Sequence, residues 1–377
     1  MIPMTQTTQL NFAQPQLDEA TIAAVAAVLR SNWIASGPNV LAFEKALSES
    51  FGGRPTRVLT SATGALEVAL QLCDIGAGDE VITATQTFFS TMNMIVKVGA
   101  TPVFVDCDLV TRAIDLAQVE AAITPRTKAI MPTHFPGALV DMDALYALAK
   151  KHGLRVIEDA ALVQGSNWKG RPVGSFGDIA TFSFHPNKNM TTIEGGAIVV
   201  NNDIEAEKVD VLRFHGIVRL PDDTRDVEVA AGKYNMSDVS AVIGVHQLKQ
   251  LPQFLAQRTE LVGRYFSSFP QIPGAILPPQ NEPEQSWNMF CVLFPFEQLG
   301  QTRQQFRAAL RGHGIATGMS YESCHLTSVG RGLGYREGRF PVAERISRET
   351  VALPLHASMM LADVDRVCEA VRKVFAQ

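Results

Sequence analysis

The chain has 377 residues, of which 46% are hydrophobic and 19% charged, a composition typical of a folded globular protein and unlike disordered, collagenous or coiled-coil chains. Lys and Arg number 33 against 38 Asp and Glu, a formal net charge of -5, and no basic cluster indicates nucleic-acid binding. Five irregularly spaced cysteines, no signal-peptide pattern and no apolar run of about 20 residues predict a cytoplasmic protein with reduced thiols and no membrane span.

The first two hundred residues alternate short β-branched runs with segments of helical periodicity. The runs predicted as strands are residues 79–82, 101–106, 129–132, 154–159, 179–184 and 196–200. Between two of them, Met142, Leu145 and Leu148 share one face of a predicted helix that ends at Gly153. Apolar strands alternating with helices predict an α/β fold with a mostly parallel sheet, whose ligands bind at the carboxyl ends of the strands.

The pattern changes after about residue 250. Residues 271–285 are rich in proline and polar side chains and are interpreted as a linker or surface loop. A strand at 290–294, a helix at 303–312 and a terminal helix follow, the last with valines at helical spacing (Val364, Val367, Val371 and Val374). We therefore predict a large domain over residues 1–250 and a smaller C-terminal α+β domain over residues 251–377.

Two polar residues follow predicted strands at positions where ligands bind. Lys188 lies in a polar turn after strand 179–184, and a buried lysine that loses its proton can form a Schiff base, although most lysines are solvated. Asp159 ends strand 154–159, where it can pair with a protonated pyridine nitrogen or cap the next turn. Glu158 points to the opposite side of that strand, which favours a structural role.

A small-residue turn and an aromatic residue complete the set. Ser61, Ala62 and Thr63 open a predicted helix, where backbone N–H groups and hydroxyls can bind an anion, although an ordinary helix N-cap explains the same letters. Phe88 follows strand 79–82 and can stack on a planar ring or belong to the core. Taken one at a time, these residues leave the function open.

Their order and spacing resemble the DegT/DnrJ/EryC1/StrS family of nucleotide-sugar aminotransferases, which depend on pyridoxal 5'-phosphate (PLP) and have the aspartate-aminotransferase fold type I. The resemblance runs nearly end to end through TFFSTMNMI, VIEDAA, FSFHPNKN with EGGAIVV, RFHGI and GKYNMSDVS, of which FSFHPNKN with EGG is the most specific. It implies a PLP-transferase fold: a mostly parallel sheet flanked by helices in the large domain, plus the smaller α+β domain.

The resemblance also implies roles for individual residues. Lys188 matches the Schiff-base lysine, Asp159 the partner of the pyridine nitrogen and Phe88 the aromatic residue that stacks on the ring. The phosphate cradle matches Ala62, Thr63 and Ser183, with the Ser61 hydroxyl as a further donor.

Three more residues are assigned by the same resemblance. Asn235 matches an asparagine that reaches the phosphate held by the neighbouring subunit, which implies a homodimer with shared active sites. Tyr321 and His325 lie near the family's substrate-facing aromatic residue and histidine, within a local pattern that is altered here. Leu162 stands where many members have Gln or His against the cofactor's phenolic oxygen, and Gln164 could substitute for it.

The implied reaction is a transamination in polysaccharide biosynthesis. L-Glutamate would give its amino group and leave as 2-oxoglutarate, and the C4 keto group of a nucleotide-linked deoxysugar would receive it. A 3-keto nucleotide sugar, or a PLP-binding regulator or scaffold without catalysis, remains as an alternative. Arg219, Arg225 and Arg339 are candidates for binding the glutamate carboxylate, with a solvated surface position favoured for each, and no residue spacing predicts a metal site.

Overall fold

The computed structural model describes residues 9–136, 138–280 and 284–375. The helices are α1 (Glu19–Ser31), α2 (Pro38–Ser50), α3 (Ala62–Leu72), α4 (Phe89–Lys97), α5 (Leu116–Ala122), α6 (Met142–His152), α7 (Asp203–Leu212), α8 (Asp238–Ser268), α9 (Arg303–Gly312), α10 (Ser328–Gly332), α11 (Pro341–Glu349) and α12 (Leu361–Phe375), with a 3-10 turn at Cys324–Leu326. The strands are β1 (Thr56–Leu59), β2 (Glu80–Ala84), β3 (Thr101–Val105), β4 (Thr127–Ile130), β5 (Arg155–Asp159), β6 (Asn167–Trp168), β7 (Arg171–Pro172), β8 (Ile179–Ser183), β9 (Gly196–Val199), β10 (Ile217–Arg219), β11 (Arg225–Val227), β12 (Phe290–Leu293) and β13 (Thr350–Leu353). Within these ranges, no helix combines the length and the apolar character needed to cross a bilayer.

A seven-stranded sheet with the order β1-β9-β8-β5-β4-β2-β3 forms the centre of the molecule. Every neighbouring pair is parallel except those that include β9, which is antiparallel to both β1 and β8. Strand β9 runs in reverse because residues 184–195 connect it to β8 by a turn, whereas parallel neighbours need a crossover. The predicted α/β architecture with a mostly parallel sheet is confirmed.

The central part of the sheet is buried on both faces. All residues of β2, β8 and β9 are buried, and helices α3 and α6 contact strands of the sheet. Asp141 is the N-cap of helix α6, and its side chain accepts from the Ala144 N–H; Gly153, with φ 66°, is the C-cap. The cap and the left-handed glycine agree with the predicted helix.

A second, two-stranded sheet pairs β12 with β13 in antiparallel fashion. Tyr265 of α8, Phe306 of α9 and Val371 of α12 belong to the hydrophobic cluster around it. The predicted strand at 290–294 and the predicted helices at 303–312 and at the C-terminus correspond to β12, α9 and α12. Helix α8 continues through residue 250, and the division into domains at that residue stays a prediction.

The short strands β1, β6, β7, β10 and β11 were not indicated by the sequence pattern. They contain two to four residues each, too few to show a period-2 alternation. Strand β1 matters for the site because it ends at Leu59, directly before the turn that opens α3.

Candidate active site

A cavity of about 210 Å³ lies at the carboxyl ends of β5 and β8. It is lined by Ser61, Ala62, Thr63, Phe88, Ser90, Thr133, Asp159, Ala161, Leu162, Ser183, His185, Asn187, Lys188, Glu194, Gly195 and Tyr321. The structure therefore brings together the residues assigned to the catalytic and cofactor roles except Asn235, and of the two substrate-facing residues it includes Tyr321 but not His325. Their convergence follows from the sheet, because the carboxyl ends of parallel strands meet at one edge.

Lys188 occupies the turn between β8 and β9, where its backbone N–H donates to the His185 carbonyl oxygen at 2.9 Å. Burial lowers the pKa of Lys188 to about 8, while the negative charge of Asp159 acts in the opposite direction. An ordinary lysine has a pKa of about 10.4. Lys188 thus supplies far more uncharged amine at neutral pH than a surface lysine, which is what a nucleophile requires.

Asp159 ends β5 and is only 3% exposed. Its Oδ2 accepts a hydrogen bond from Thr91 Oγ1 at 2.9 Å, and its Oδ1 accepts one from the Ala161 N–H at 3.2 Å. Burial raises the pKa of Asp159, and the two hydrogen bonds, Lys188 and His134 oppose that effect. Among the described residues no Lys, Arg or His lies within 4.0 Å of this carboxylate, so its charge is available to a cationic group in the cavity.

Glu158, the preceding residue, faces away from the cavity and belongs to a separate buried cluster. Its Oε2 lies 3.0 Å from His134 Nε2, and its Oε1 accepts from the Tyr146 hydroxyl. The Val140 N–H donates to His134 Nδ1 at 3.3 Å, so the histidine proton is on Nε2 and points at Glu158. This arrangement supports the structural role predicted for Glu158.

The turn that opens α3 presents unpaired backbone donors to the cavity. Ser61 is the N-cap, and its Oγ accepts from the Gly64 N–H at 3.0 Å. The N–H groups of Ala62 and Thr63 are in the first turn of the helix, where they have no intrahelical acceptor. Gly196 packs against this turn: a Cβ there would lie 2.4 Å from Ala62 N. The close approach of β9 to the helix start explains the second glycine of the EGG sequence.

Two aromatic side chains frame the cavity. Phe88 is 49% exposed, although most phenylalanines of the chain are buried. Its ring centroid lies 5.4 Å from that of Tyr321. Tyr321 also lies 6.2 Å from Phe135, centroid to centroid. An exposed aromatic face at the mouth of a polar cavity is suited to stacking on a planar ligand.

Asn235 and His325 lie outside the cavity. The Asn235 amide nitrogen donates to Ser36 Oγ at 2.7 Å, and its oxygen accepts from Lys233 Nζ at 2.7 Å. His325 is fully buried, with Nδ1 at 2.8 Å from Thr85 Oγ1 and Nε2 at 3.0 Å from Glu344 Oε1. Both ring nitrogens of His325 are bonded within the chain, and its contact with substrate stays a prediction.

Leu162 lies in the wall of the cavity as the sequence predicts. Gln164 does not line the cavity, and its Nε2 lies 3.3 Å from Met190 Sδ. The suggestion that Gln164 substitutes for the amide or imidazole of other family members is therefore not supported by its position. The wall at residue 162 is apolar.

Several lining residues were not identified from the sequence. Ser90, Thr133, His185, Asn187 and Glu194 contribute hydroxyl, imidazole, amide and carboxylate groups. His185, Asn187 and Glu194 belong to the segment that carries Lys188, so proximity to that lysine was the available signal. Thr133 follows β4, and its position after a parallel strand was the corresponding signal.

Arg258 of α8 holds the backbone of Lys188. It is 4% exposed, and its Nη2 donates to the Lys188 carbonyl oxygen at 3.4 Å. Its Nη1 donates to the carbonyl oxygens of Trp287, Asn288 and Leu355 at 3.4, 3.2 and 2.8 Å. Burial lowers the pKa of Arg258 to about 10. One guanidinium thus joins the Lys188 turn to the segments that flank the small sheet.

None of the three arginines considered for binding a substrate carboxylate lines the cavity. Arg219 and Arg225 lie on the exposed hairpin of β10 and β11, and Arg339 is also exposed. Arg219 lies 3.5 Å from Asp223. In the described part of the chain, no group of three or more His, Cys, Asp and Glu residues is arranged to hold a metal ion.

The sequence is similar to known proteins over nearly its whole length. The family model of the DegT/DnrJ/EryC1/StrS aminotransferase family matches residues 15–372. The spore coat polysaccharide biosynthesis protein SpsC of Bacillus subtilis (strain 168) is 39% identical over 376 residues, which cover 97% of this chain and 97% of that protein.

Solved structures share the fold. The PLP form of Spr1654 from Streptococcus pneumoniae, a putative sugar aminotransferase, aligns with a TM-score of 0.90 and 31% identity over 98% of this chain and 99% of that chain. Helicobacter pylori PseC, an aminotransferase involved in the biosynthesis of pseudoaminic acid, aligns with a TM-score of 0.92 and 28% identity over 98% of this chain and 100% of that chain.

Proposed function

The chain belongs to the DegT/DnrJ/EryC1/StrS aminotransferase family, and from this we propose that it transfers the amino group of L-glutamate to the C4 keto group of a nucleotide-linked deoxysugar. It is a PLP-dependent sugar aminotransferase, like its relatives. The proposal specifies glutamate as the amino donor, a nucleotide-linked sugar as the acceptor and C4 as the position that is aminated. The observation that carries it is the placement of an amine of lowered pKa, Lys188, in one cavity with the buried carboxylate of Asp159.

The residues present fit PLP at both of its ends. Asp159 is a buried carboxylate with no cationic partner within 4.0 Å among the described residues, which suits a protonated ring nitrogen. The backbone N–H groups of Ala62 and Thr63 and the hydroxyls of Ser61 and Ser183 suit a phosphate. Bound in this way, PLP supplies an electron sink for the negative charge that develops at carbon when a proton is removed.

The chain's own part in the reaction is proton transfer and orientation. The Nζ of Lys188 would take the proton from Cα of the amino donor and return a proton to the sugar carbon in the second half of the cycle. This task needs an amine whose pKa is near the working pH, and burial brings the pKa of Lys188 to about 8. Phe88 would hold the ring from one face, and Asp159 would fix its nitrogen end.

Asn235 supports a homodimer with shared sites. It lies outside the cavity of its own chain, next to Ser36, which agrees with an asparagine that acts on the neighbouring subunit. Nearby, Trp33 is 62% exposed and Ile34 is 51% exposed. Large apolar side chains exposed together are typical of a surface that another chain covers.

The resemblance of the TFFSTMNMI and KYNMSDVSAVIG segments to members that act at C4 favours this position over C3. The non-catalytic alternative rests on the apolar Leu162 and the altered segment around Tyr321. Against it stands the retention of both Lys188 and Asp159, together in one cavity. In a protein that had lost catalysis, sequence drift would be expected to change one of the two.

Lys188→Ala tests the assignment, with the exposed Lys128 of β4 as the matched control. Wild type and Lys128→Ala should absorb in the visible with PLP, bleach with glutamate, and carry a borohydride-fixed label on the peptide that contains residue 188. Lys188→Ala should lose the label and at least about a thousandfold in turnover, because proton transfer by a positioned amine is removed. Multiple turnovers by Lys188→Ala, or a label elsewhere, would contradict the assignment.

The acceptor is tested with the wild type after bleaching by glutamate. A 4-keto nucleotide sugar should restore the visible absorbance faster than a 3-keto nucleotide sugar or the same sugar without its nucleotide. A faster return with the 3-keto compound would establish the alternative position. A protein that binds PLP but that glutamate fails to bleach would favour the regulator or scaffold.

A further inference from the structure

Three buried threonine hydroxyls are hydrogen-bonded in series, from Thr133 in the cavity wall to the carboxylate of Asp159. Thr91 Oγ1 lies 2.9 Å from Asp159 Oδ2, Thr87 Oγ1 lies 2.9 Å from Thr91 Oγ1, and Thr133 Oγ1 lies 2.7 Å from Thr87 Oγ1. Thr87 and Thr91 are 0% exposed, and Thr133 is 4% exposed. The three residues come from separate segments: the end of the β2–α4 connection, the first turn of α4 and the segment after β4.

The hydrogen bonds between the three threonine hydroxyls have a single direction when Asp159 is ionised. A carboxylate only accepts, so Thr91 donates its one hydroxyl proton to Asp159. Thr91 must then accept from Thr87, and Thr87 must accept from Thr133. All three protons point toward the carboxylate, and the Thr133 oxygen, which lines the cavity, has only lone pairs left for a ligand.

We propose that Thr91, Thr87 and Thr133 form a directed hydroxyl relay that orients Asp159 and keeps it ionised. Thr91 is the positioning residue of the relay, and Thr87 and Thr133 fix the direction of its proton. The proposal rests on the proposed function, in which Asp159 pairs with the ring nitrogen of the cofactor.

The relay offsets the free-energy cost of burying a charged carboxylate. Asp159 is almost completely removed from solvent, which disfavours its charged form, and no cation of the described chain lies within 4.0 Å. Hydrogen bonds to a charged group are about twice as strong as neutral ones. A hydroxyl that cannot turn away, because its own oxygen is held by a second hydroxyl, is a more reliable donor than one free to rotate.

Thr91→Val removes the donor with little change of shape, and Thr83→Val is the matched control. Thr83 lies on β2, is 0% exposed, and donates its hydroxyl to the Met131 carbonyl oxygen at 2.7 Å, away from Asp159. The dissociation constant for PLP should rise about tenfold in Thr91→Val, the effect of losing one hydrogen bond to a charged group. It should rise about two- to threefold in Thr87→Val, where Thr91 keeps its bond but loses its orientation, and stay unchanged in Thr83→Val.

A second measurement uses the protein without cofactor, so it does not depend on catalysis. The groups that face Asp159 are Lys188 from the β8–β9 turn, His134 from the segment after β4, and Tyr321. Burial already raises the pKa of Asp159 in the folded chain. When the pKa of an aspartate is higher in the folded state than in the unfolded state, the protein loses stability as the pH rises from the unfolded-state pKa through the folded-state pKa. Thr91→Val should raise this pKa further, and it should lose more stability than Thr83→Val as the pH rises above the ordinary aspartate value of 3.8.

The two readouts separate failure of the relay from failure of the proposed function. Equal PLP affinities and equal pH dependence in Thr91→Val and Thr83→Val would overturn the relay, provided that wild type is labelled at residue 188. A Thr91→Val protein that is less stable by the same amount at every pH, with unchanged affinity, would also overturn it. Absence of the label in wild type would instead remove the proposed function.

Discussion

At the scale of single residues, Lys188 is placed where its charge is costly. Burial holds the pKa of its amine near 8, against 10.5 for a solvated lysine. Below pH 8 the folded chain therefore carries a buried ammonium group that the unfolded chain would solvate. In the proposed function this amine transfers the proton, so its buried position lowers stability in exchange for activity.

Lys188→Met should stabilise the cofactor-free protein. The cost of the charged amine is fully present below the folded pKa of about 8 and disappears between that value and the unfolded value of 10.5. At pH 7 we expect the free energy of unfolding to rise by about 1–3 kcal/mol. Chemical denaturation at pH 7 and pH 9.5 measures the difference.

Lys128→Met is the control for that measurement, because Lys128 is exposed. It should change stability by less than about 0.5 kcal/mol at either pH. A gain in Lys188→Met that does not shrink at the higher pH would show that packing of the methionine, and not the lost charge, is responsible.

At the scale of elements, the predicted strands correspond to β2, β3, β4, β5, β8 and β9 because each contains at least two adjacent apolar residues. The positions of Lys188 and Asp159 in the cavity could be predicted because both follow such strands. The link from Thr91 to Asp159 could not, since a threonine near a helix start has an ordinary explanation there. Nor could the orientation of His325, whose bonds to Thr85 and Glu344 depend on segments distant in the chain.

The β8–β9 turn depends on a close approach that only glycine permits. In Gly196→Ala the new Cβ would lie 2.4 Å from the nitrogen of Ala62, so β9 or the start of α3 must move. We expect a loss of about 1–3 kcal/mol in the free energy of unfolding, the usual result of overpacking. Affinity for inorganic phosphate and for PLP should fall with stability, because the start of α3 presents the backbone N–H donors of Ala62 and Thr63. Calorimetric titration of both ligands checks this.

Gly263→Ala is the matched control for that substitution. Gly263 lies inside α8, where an added Cβ would meet no neighbouring atom within 4 Å, so the change should be neutral or stabilising by up to about 1 kcal/mol. If Gly196→Ala behaves like Gly263→Ala, the close packing of β9 on α3 does not constrain the site.

At the scale of the whole molecule, the site depends on parts of the chain far from the large sheet. Arg258 of α8 bonds to the carbonyl oxygens of Lys188 and Leu355, the second of which follows β13. No carboxylate within 4.0 Å neutralises this arginine among the described residues, so its hydrogen bonds must offset the cost of burying its charge. The small sheet and the Lys188 turn are therefore held to each other.

Arg258→Lys should loosen that connection. An ammonium group is a compact donor that cannot reach carbonyls on several segments as a planar fork can. We expect a loss of about 2–3 kcal/mol in the free energy of unfolding. The rate of covalent capture of PLP should fall about tenfold. Absorbance measured well below the melting temperature monitors this rate.

Arg264→Lys provides the comparison on the same helix. Arg264 is half-exposed and binds Asp365 at 2.7 and 2.9 Å, so its replacement should cost less than about 1 kcal/mol and leave capture unchanged. Normal capture of PLP by a destabilised Arg258→Lys protein would limit Arg258 to a role in folding.

The bond from Arg258 ends on the main-chain oxygen of residue 188, an atom that every amino acid supplies. Exchanging the lysine side chain thus deletes its amine while the peptide remains anchored. Variants at this position should keep the architecture of the turn, and under the proposed function they are the proteins with which to trap and view a bound sugar substrate that cannot react.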